Sequence, residues 1–364
     1  MEREHIDHKR YADAVLREFE HRATLLENQY SLRSIFVGGG TPSLWDAFQL
    51  GRVLRAVLDR FPHTNDVEVT AECNPTSLDP ERATALANVG VNRFSIGVQS
   101  LRSDQLKFLG RLHGPAGALS AISAALSCDN VRVSSDLIFG LPSQPPSDAV
   151  AQVRQLVGTG LRHLSCYQLT IEPGTQFGEL ARRGRLPLAD DGQVAESFVA
   201  IHDELSSSGF RHYEISNYAR DGHESQHNLG YWQGNEYLGL GCAAYGCIRS
   251  AAHPFGMRYR NEVNPTRYEA CMLGLEACAS LETSCEPLSD EAFVRERIML
   301  GLRTRDGIDL DDLQRNSAST VRTTERLRAV DWLVARNRIV VEGSALRIPE
   351  TAWLWADDTA ARLF

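Results

Sequence analysis

The sequence predicts a parallel α/β protein, a barrel or partial barrel, followed by a smaller winged-helix-like domain. Three observations carry this expectation. Short apolar segments alternate with helical patterns through residues 34–170, the signature of βαβ units and a parallel sheet. Each segment ends on chemically capable residues: Gly-Gly-Gly-Thr, Glu-Cys-Asn-Pro, Gly-Val-Gln-Ser, Asp-Leu-Ile-Phe-Gly and Tyr-Gln-Leu-Thr. Ligands of parallel α/β folds bind outside the carboxyl ends of the strands. The chain then closes on two or three helices and a two-strand hairpin.

The elements follow in order. Residues 7–29 read as an amphipathic helix with Tyr11, Val15, Phe19 and Leu26 near one face. Residues 34–37 form a strand that stops at Gly38-Gly39-Gly40, and 43–61 read as a helix. Residues 66–72 alternate with period two and read as a strand. Asp79 is placed as an N-cap, with Pro80 at the first helical position and Gly90 as the stop. Strands are expected at 93–98, 131–139 and 163–170, with a helix from the Pro142 to Pro146 turn through Val157. Residues 210–247 are rich in Gly, Tyr, Asn and His and show little periodicity. Helices at 289–303, 309–315 and 322–336 precede a hairpin of 339–341 and 346–348.

Composition bounds the function. The chain has 364 residues, enough for a substantial core. Lys+Arg is 38 and Asp+Glu is 47, so the net charge is −9. That argues against a phosphate-driven nucleic-acid binder, and no nucleic-acid partner is expected. No apolar run is long enough to span a bilayer, and the charged opening lacks an apolar secretion signal. A cytoplasmic protein is expected. Its eight cysteines are then expected to be reduced, and Cys271, Cys278 and Cys285, seven apart, to be small buried hydrophobes.

Several residues stand out chemically. The glycines of Gly38-Gly39-Gly40-Thr41 admit a ligand close to the backbone and expose N–H groups, although a plain tight turn explains them equally well. Glu72 closes its strand, where a carboxylate receives a ligand amine or hydroxyls, or else serves as a turn acceptor. Gln99 ends the next strand with a neutral amide suited to an adenine or ribose edge. Arg111 can clasp a carboxylate with two parallel hydrogen bonds or make a surface ion pair. Asp136 lies in an apolar strand, where an unpaired charge is expensive, so a partner is implied. His227, in His227-Asn228-Leu229-Gly230-Tyr231-Trp232, is either a heme-iron ligand or a loop histidine bonded to backbone.

Taken together, Phe36-Val37-Gly38-Gly39-Gly40-Thr41-Pro42-Ser43-Leu44, Glu72-Cys73-Asn74-Pro75, Asn92-Arg93-Phe94-Ser95-Ile96-Gly97-Val98-Gln99-Ser100, Leu109-Gly110-Arg111-Leu112-His113, Asp136-Leu137-Ile138-Phe139-Gly140-Leu141-Pro142, the Tyr167-to-Thr175 run and the His227 segment resemble the radical SAM coproporphyrinogen III oxidase-like family. The heme-chaperone branch is the nearest, on the His-Asn-x-x-Tyr-Trp segment and the Tyr-Gln-Leu-Thr-Ile-Glu-Pro run. The resemblance implies a partial (β/α)6 TIM-like barrel over residues 1–205, here without its first strand. It further implies a heme- or substrate-side extension at 206–285 and a winged-helix-like domain at 286–364. Gly39, Gly40, Thr41, Glu72, Gln99, Arg111 and Asp136 would bind S-adenosylmethionine (SAM), and His227 would bind heme. A heme-accepting protein is the implied partner, with no integral membrane segment.

The family's 4Fe–4S cluster is held by a C-x-x-x-C-x-x-C loop, and this sequence contains no such spacing. The resemblance therefore implies a chain short at its front end, or a relative that binds SAM or heme without a cluster. Tyr245 stands where relatives often carry a histidine. The oxidase branch, which decarboxylates coproporphyrinogen propionates, is the alternative activity. An unrelated barrel enzyme would need a Schiff-base lysine or a metal triad at strand ends; Lys9 and Lys107 are the only lysines, and neither ends a strand.

Overall fold

The computed structural model describes residues 7–26, 30–275 and 281–364. The chain divides into two compact units. One comprises Met1–Ile35, Leu44–Glu68 and Gln226–Phe364, the other Phe36–Ser43 and Val69–Ser225.

The expected parallel strands are present. They are β1 (Leu32–Val37), β2 (His63–Cys73), β3 (Arg93–Gln99), β4 (Arg132–Phe139) and β5 (His163–Gln168). β6 (Arg211–Glu214) and β7 (Asn217–Ala219) complete a seven-stranded sheet in the order β1-β2-β3-β4-β5-β7-β6. β2 through β5 pair in parallel, whereas β7 pairs antiparallel with both β5 and β6. The sequence reading left 210–247 without regular structure, because strands of three and four residues are too short to establish a period.

Alternation decides what each face carries. Phe94, Ile96 and Val98 of β3 are fully buried on one face, under helices such as Pro115–Leu126. The opposite face presents Ser95, Gly97 and Gln99, all partly accessible. In register beside them lie Glu72, paired with Ser95, and Ser134, also paired with Ser95. Asp136 is paired with Ser165. One face of the sheet is thus apolar core and the other a polar ladder. The helix Pro80–Asn88 begins as expected: Asp79 accepts the Arg82 N–H at 2.7 Å, and Gly90 ends the run at a φ of +111°.

In the first unit, the helix His8–Thr24 buries Ala12, Ala14, Val15 and Phe19. It packs on Val53 and Val57 of the helix Ala47–Arg60 and on Tyr268. The opening helix is therefore present but ends at Thr24, with Leu26 beyond it and residues 27–29 outside the described residues. The expected helix at 43–61 is broken. A single 3-10 turn, Pro42–Leu44, comes first, and Asp46 restarts the helix by accepting the Gln49 N–H at 3.0 Å. Beneath the first helix, Glu18 is fully buried. It accepts hydrogen bonds from Arg22, Asn261, Tyr268 and the Gly241 N–H, all at 2.7 to 2.8 Å.

Three further antiparallel strands follow in this unit: β8 (Tyr245–Ile248), β9 (Met257–Asn261) and β10 (Glu282–Pro287). The C-terminal part has helices Asp290–Gly301, Leu310–Arg315 and Thr324–Val334. The expected hairpin is β12 (Val340–Glu342) with β13 (Ala345–Arg347), joined by a third strand, β11 (Ile308–Asp309). A two-residue strand has no period to read, so only the fold revealed it. The cysteine expectation is corrected in two places. Cys285 is exposed on β10, a strand with no buried residue, and Cys271, on the helix Pro265–Met272, is disulfide-bonded. Cys278 lies outside the described residues. Among the described residues, no helix is long and apolar enough to cross a membrane.

Candidate functional site

The carboxyl ends of the parallel strands converge on one polar cluster. Gly39 and Gly40 follow β1 with φ values of +80° and +64°, backbone that glycine adopts without strain. The Gly39 N–H donates to Glu72 Oε2 at 3.1 Å. A side chain at Gly38 would overlap the Phe36 ring and stand 3.3 Å from Glu72 Oε2. The glycine loop thus lies directly on the carboxylate at the end of β2. Glu72 is the acceptor for this loop, while the turn after β2 is capped by Asn74, which accepts the Thr76 N–H at 3.1 Å.

Gln99 ends β3 at a φ of +64°, an uncommon conformation for a residue with a side chain. A Cβ at Gly97 would come within 2.9 Å of its Nε2. Gln99 is therefore folded back over its own strand, in space that only glycine leaves open. Strained backbone of this kind concentrates at binding sites. The loop that follows is pinned by His113, whose Nε2 lies 2.9 Å from the Val98 carbonyl. Arg111, two residues before that anchor, is exposed, with no contact to the cluster among the described residues.

Asp136 has the partners its position demanded. Burial pushes its carboxyl up to about 6, and the charge of Glu72 acts in the same direction. Hydrogen bonds from Ser165 and Ser95, together with the charge of Arg93, oppose the rise. Arg93 is itself buried and donates to Ser134 at 2.9 Å and to Thr70 at 3.4 Å. Two carboxylates, a primary amide and an open glycine loop therefore share one surface. Such a surface receives a cation, hydroxyls and an adenine edge. Ser95, Ser165, Arg93 and His113 were not singled out from the sequence. For Ser95 the period-two offset from Gly97 was the available signal; Ser165 meets Asp136 only through the pairing of β4 with β5.

His227 lies in the other unit, on the helix Gln226–Trp232. Glu68, fully buried, accepts the N–H of Gln226 and of His227, each at 3.0 Å. The His227 ring meets Tyr231 edge-on at 4.9 Å, and Tyr231 lies 4.7 Å from Tyr237. The histidine is thus in a regular helix, not a loop, and its start is clamped by a carboxylate that local sequence does not connect to it. Tyr245 is exposed on β8, with Arg260 over its ring.

Residues 2–156 match the Radical SAM superfamily and residues 288–355 the HemN C-terminal domain. The heme chaperone HemW of Escherichia coli is 39% identical over 67% of this chain, and the alignment spans 63% of that protein, less than two thirds of it. The heme chaperone HemW of Haemophilus influenzae is 32% identical over 91% of this chain and 82% of its own length. The chain belongs to the HemW family. The crystal structure of coproporphyrinogen III oxidase (HemN) from Escherichia coli has the same fold, with a TM-score of 0.78 over 98% of this chain and 83% of that one, at 18% identity. The partial radical-SAM barrel with its C-terminal domain is thereby established.

Radical SAM membership of a HemW protein implies SAM and a 4Fe–4S cluster, and the residues answer differently for the two. The polar cluster fits SAM: an uncrowded glycine loop, a strained amide and two acceptors for its cationic and hydroxyl groups. The cluster does not fit this sequence. Three thiolates on one loop are required, and no C-x-x-x-C-x-x-C spacing occurs. Cys73, next to Glu72, is buried, its thiol pushed up to about 12 by burial. Among the described residues no group of three or more His, Cys, Asp or Glu is placed to hold a metal.

Proposed function

We propose that this chain is a heme chaperone: it binds heme through His227 and passes it to an acceptor protein, with SAM held at the strand ends. The observation that carries the reading is the clamped helix Gln226–Trp232. A buried carboxylate uses both oxygens to fix the start of a two-turn helix whose accessible face carries His227 and Tyr231. Neutral imidazole is a usual ligand of heme iron, and aromatic rings beside it supply apolar contact for a porphyrin face. The HemW relatives support the same reading.

In the proposed SAM site, Glu72 and Asp136 face the sulfonium and amino groups. The glycine loop Gly39-Gly40-Thr41 admits the methionyl part, Gln99 bonds the nucleoside edge and Arg111 clasps the carboxylate. SAM supplies a methionine sulfonium joined to adenosine. No step is routed through an iron–sulfur cluster, whose thiolates this sequence does not contain. The reading includes a cytoplasmic place of action.

Titration of the purified chain with hemin tests the proposal. A saturable Soret band is expected, and His227→Ala is expected to shift and weaken it. An unchanged band in that variant would refute the assignment of His227.

A further inference from the structure

A cavity of about 310 Å³ lies in the first unit against the far end of the His227 helix. Trp232, the last residue of that helix, lines it, and so do Arg249 and Arg297. Neither guanidinium has a carboxylate within ion-pair distance or a hydrogen-bond acceptor among the described residues. Arg249 lies over the Phe293 ring at 5.0 Å, and only its backbone N–H is bonded, to Glu236. Arg297 packs on the turn after Trp232: a Cβ on Gly234 would fall within 2.9 Å of its Cζ. Burial, and then the charge of Arg249, lowers its affinity for its own proton, while the charge of Asp312 opposes this. The indole N–H of Trp232 is also buried without a partner. Three unpaired donors thus meet one cavity.

The cavity also has acidic neighbours, each of which already accepts from another donor. Asp309 accepts the N–H groups of Asp311 and Asp312 and the Ser344 hydroxyl. Glu236 accepts from Tyr30 and from the Arg249 backbone. Asp312 pairs with Arg315 at 3.2 Å. Two guanidiniums held together with no carboxylate in ion-pair contact are costly unless an anion joins them, and guanidinium matches a carboxylate in two-point geometry.

We infer that this cavity binds a carboxylate and that, on the heme reading of His227, the carboxylate is a propionate of the bound porphyrin. The helix supplies both ends of the site. His227 stands near its start and Trp232 at its close, five residues on, about 7.5 Å along the axis and about 140° around it. The ligand would then be gripped at iron by His227 and at its polar edge by Arg249 and Arg297.

The test compares hemin with iron protoporphyrin IX dimethyl ester, whose propionates carry no charge. Soret titrations are run on wild type, Arg249→Gln, Arg297→Gln and His227→Ala, with circular dichroism to confirm folding. Each Gln variant is expected to weaken hemin binding about tenfold and to leave ester affinity and band position as in wild type. Unchanged hemin affinity, or an equal loss for both porphyrins, would overturn the cavity assignment. If His227→Ala is silent while the Gln variants still discriminate the two porphyrins, the axial-ligand reading falls and the cavity stands. If His227→Ala acts and the Gln variants do not discriminate, the cavity falls alone. If wild type binds neither porphyrin, both fall.

Discussion

The two oxygens of Glu68 are divided between neighbouring amides: Oε2 accepts the N–H of Gln226 and Oε1 the N–H of His227, each at 3.0 Å. A residue of a β-strand thereby fixes the start of a helix that is 159 positions away in the chain. The first N–H groups of any helix lack partners inside it. A single carboxylate here satisfies two of them and adds negative charge at the positive end of the helix.

Glu68→Ala is expected to cost about 2 kcal/mol or more of stability, since it strands two backbone donors. The same variant is expected to weaken the Soret band. Glu68→Gln keeps one acceptor and should fall between. Urea midpoints and hemin titration of the three proteins check this, and a wild-type midpoint in Glu68→Ala would contradict it.

Gly97→Ala separates binding from folding. The new methyl group meets the tip of the Gln99 side chain at 2.9 Å and the Cys73 carbonyl at an ordinary 3.9 Å. A flexible tip moves easily, so stability should change by about 1 kcal/mol or less. Displacing the amide should nevertheless weaken SAM about tenfold, as expected for one lost buried hydrogen bond. Calorimetric titration with SAM decides it; unchanged affinity would remove Gln99 from the binding set.

Asp136→Asn should stabilise the protein in a pH-dependent way. The folded state holds this carboxyl at about 6, above its ordinary 3.8, so the fold favours the protonated form. At low pH, Asp136 is neutral whether folded or unfolded and costs nothing. As pH rises from about 4 through 6, the folded protein retains a proton that the unfolded chain has released, and wild-type stability falls. The advantage of the amide variant should therefore grow across that window and level off above it, at about 1–3 kcal/mol. SAM affinity should drop in the same variant. Denaturation curves at pH 4, 5, 6 and 7 provide the readout, and a constant difference would contradict the burial argument.

Glu18→Gln should be among the most damaging single changes in the first unit. It leaves Arg22, which is 8% exposed, without its nearest counter-charge, and weakens the bonds to Asn261, Tyr268 and Gly241. Breaking one side of a buried pair costs about 3–5 kcal/mol. Arg22 keeps Glu282 at 3.1 Å, which places the expected loss at the lower end. Tyr268→Phe, which removes one hydroxyl from the same carboxylate, should cost less, about 1–2 kcal/mol. Thermal melts of both variants test the order.

Much of the polar cluster at the strand ends was legible residue by residue. Gly39, Gly40, Glu72, Gln99 and Asp136 each end or sit on a strand whose alternation is plain in the sequence, and the parallel fold gathers strand ends by construction. Arg111 was legible as a candidate, but its anchor was not: His113 bonds a carbonyl of β3, and nothing local marks that contact. The His227 segment was visible as a motif, yet its helix was not, because seven residues give too few turns for a helical period to appear. The broken helix at 43–61 shows the converse error. The apolar spacing ran on through Asp46, while the cap it makes at Gln49 restarted the helix there.

By itself, then, the sequence determined the strand and helix order through residues 34–170, the cap at Asp79, and the residue types at each strand end. These depend on alternation and on bonds across three or four positions, which a linear reading contains. Only the tertiary structure decided that Glu68 holds His227, that Glu72 holds the glycine loop, and that Arg249 and Arg297 face one cavity beside Trp232. Each of these joins residues far apart in the chain, and the free energy that makes the contact comes from burial, which no local window records.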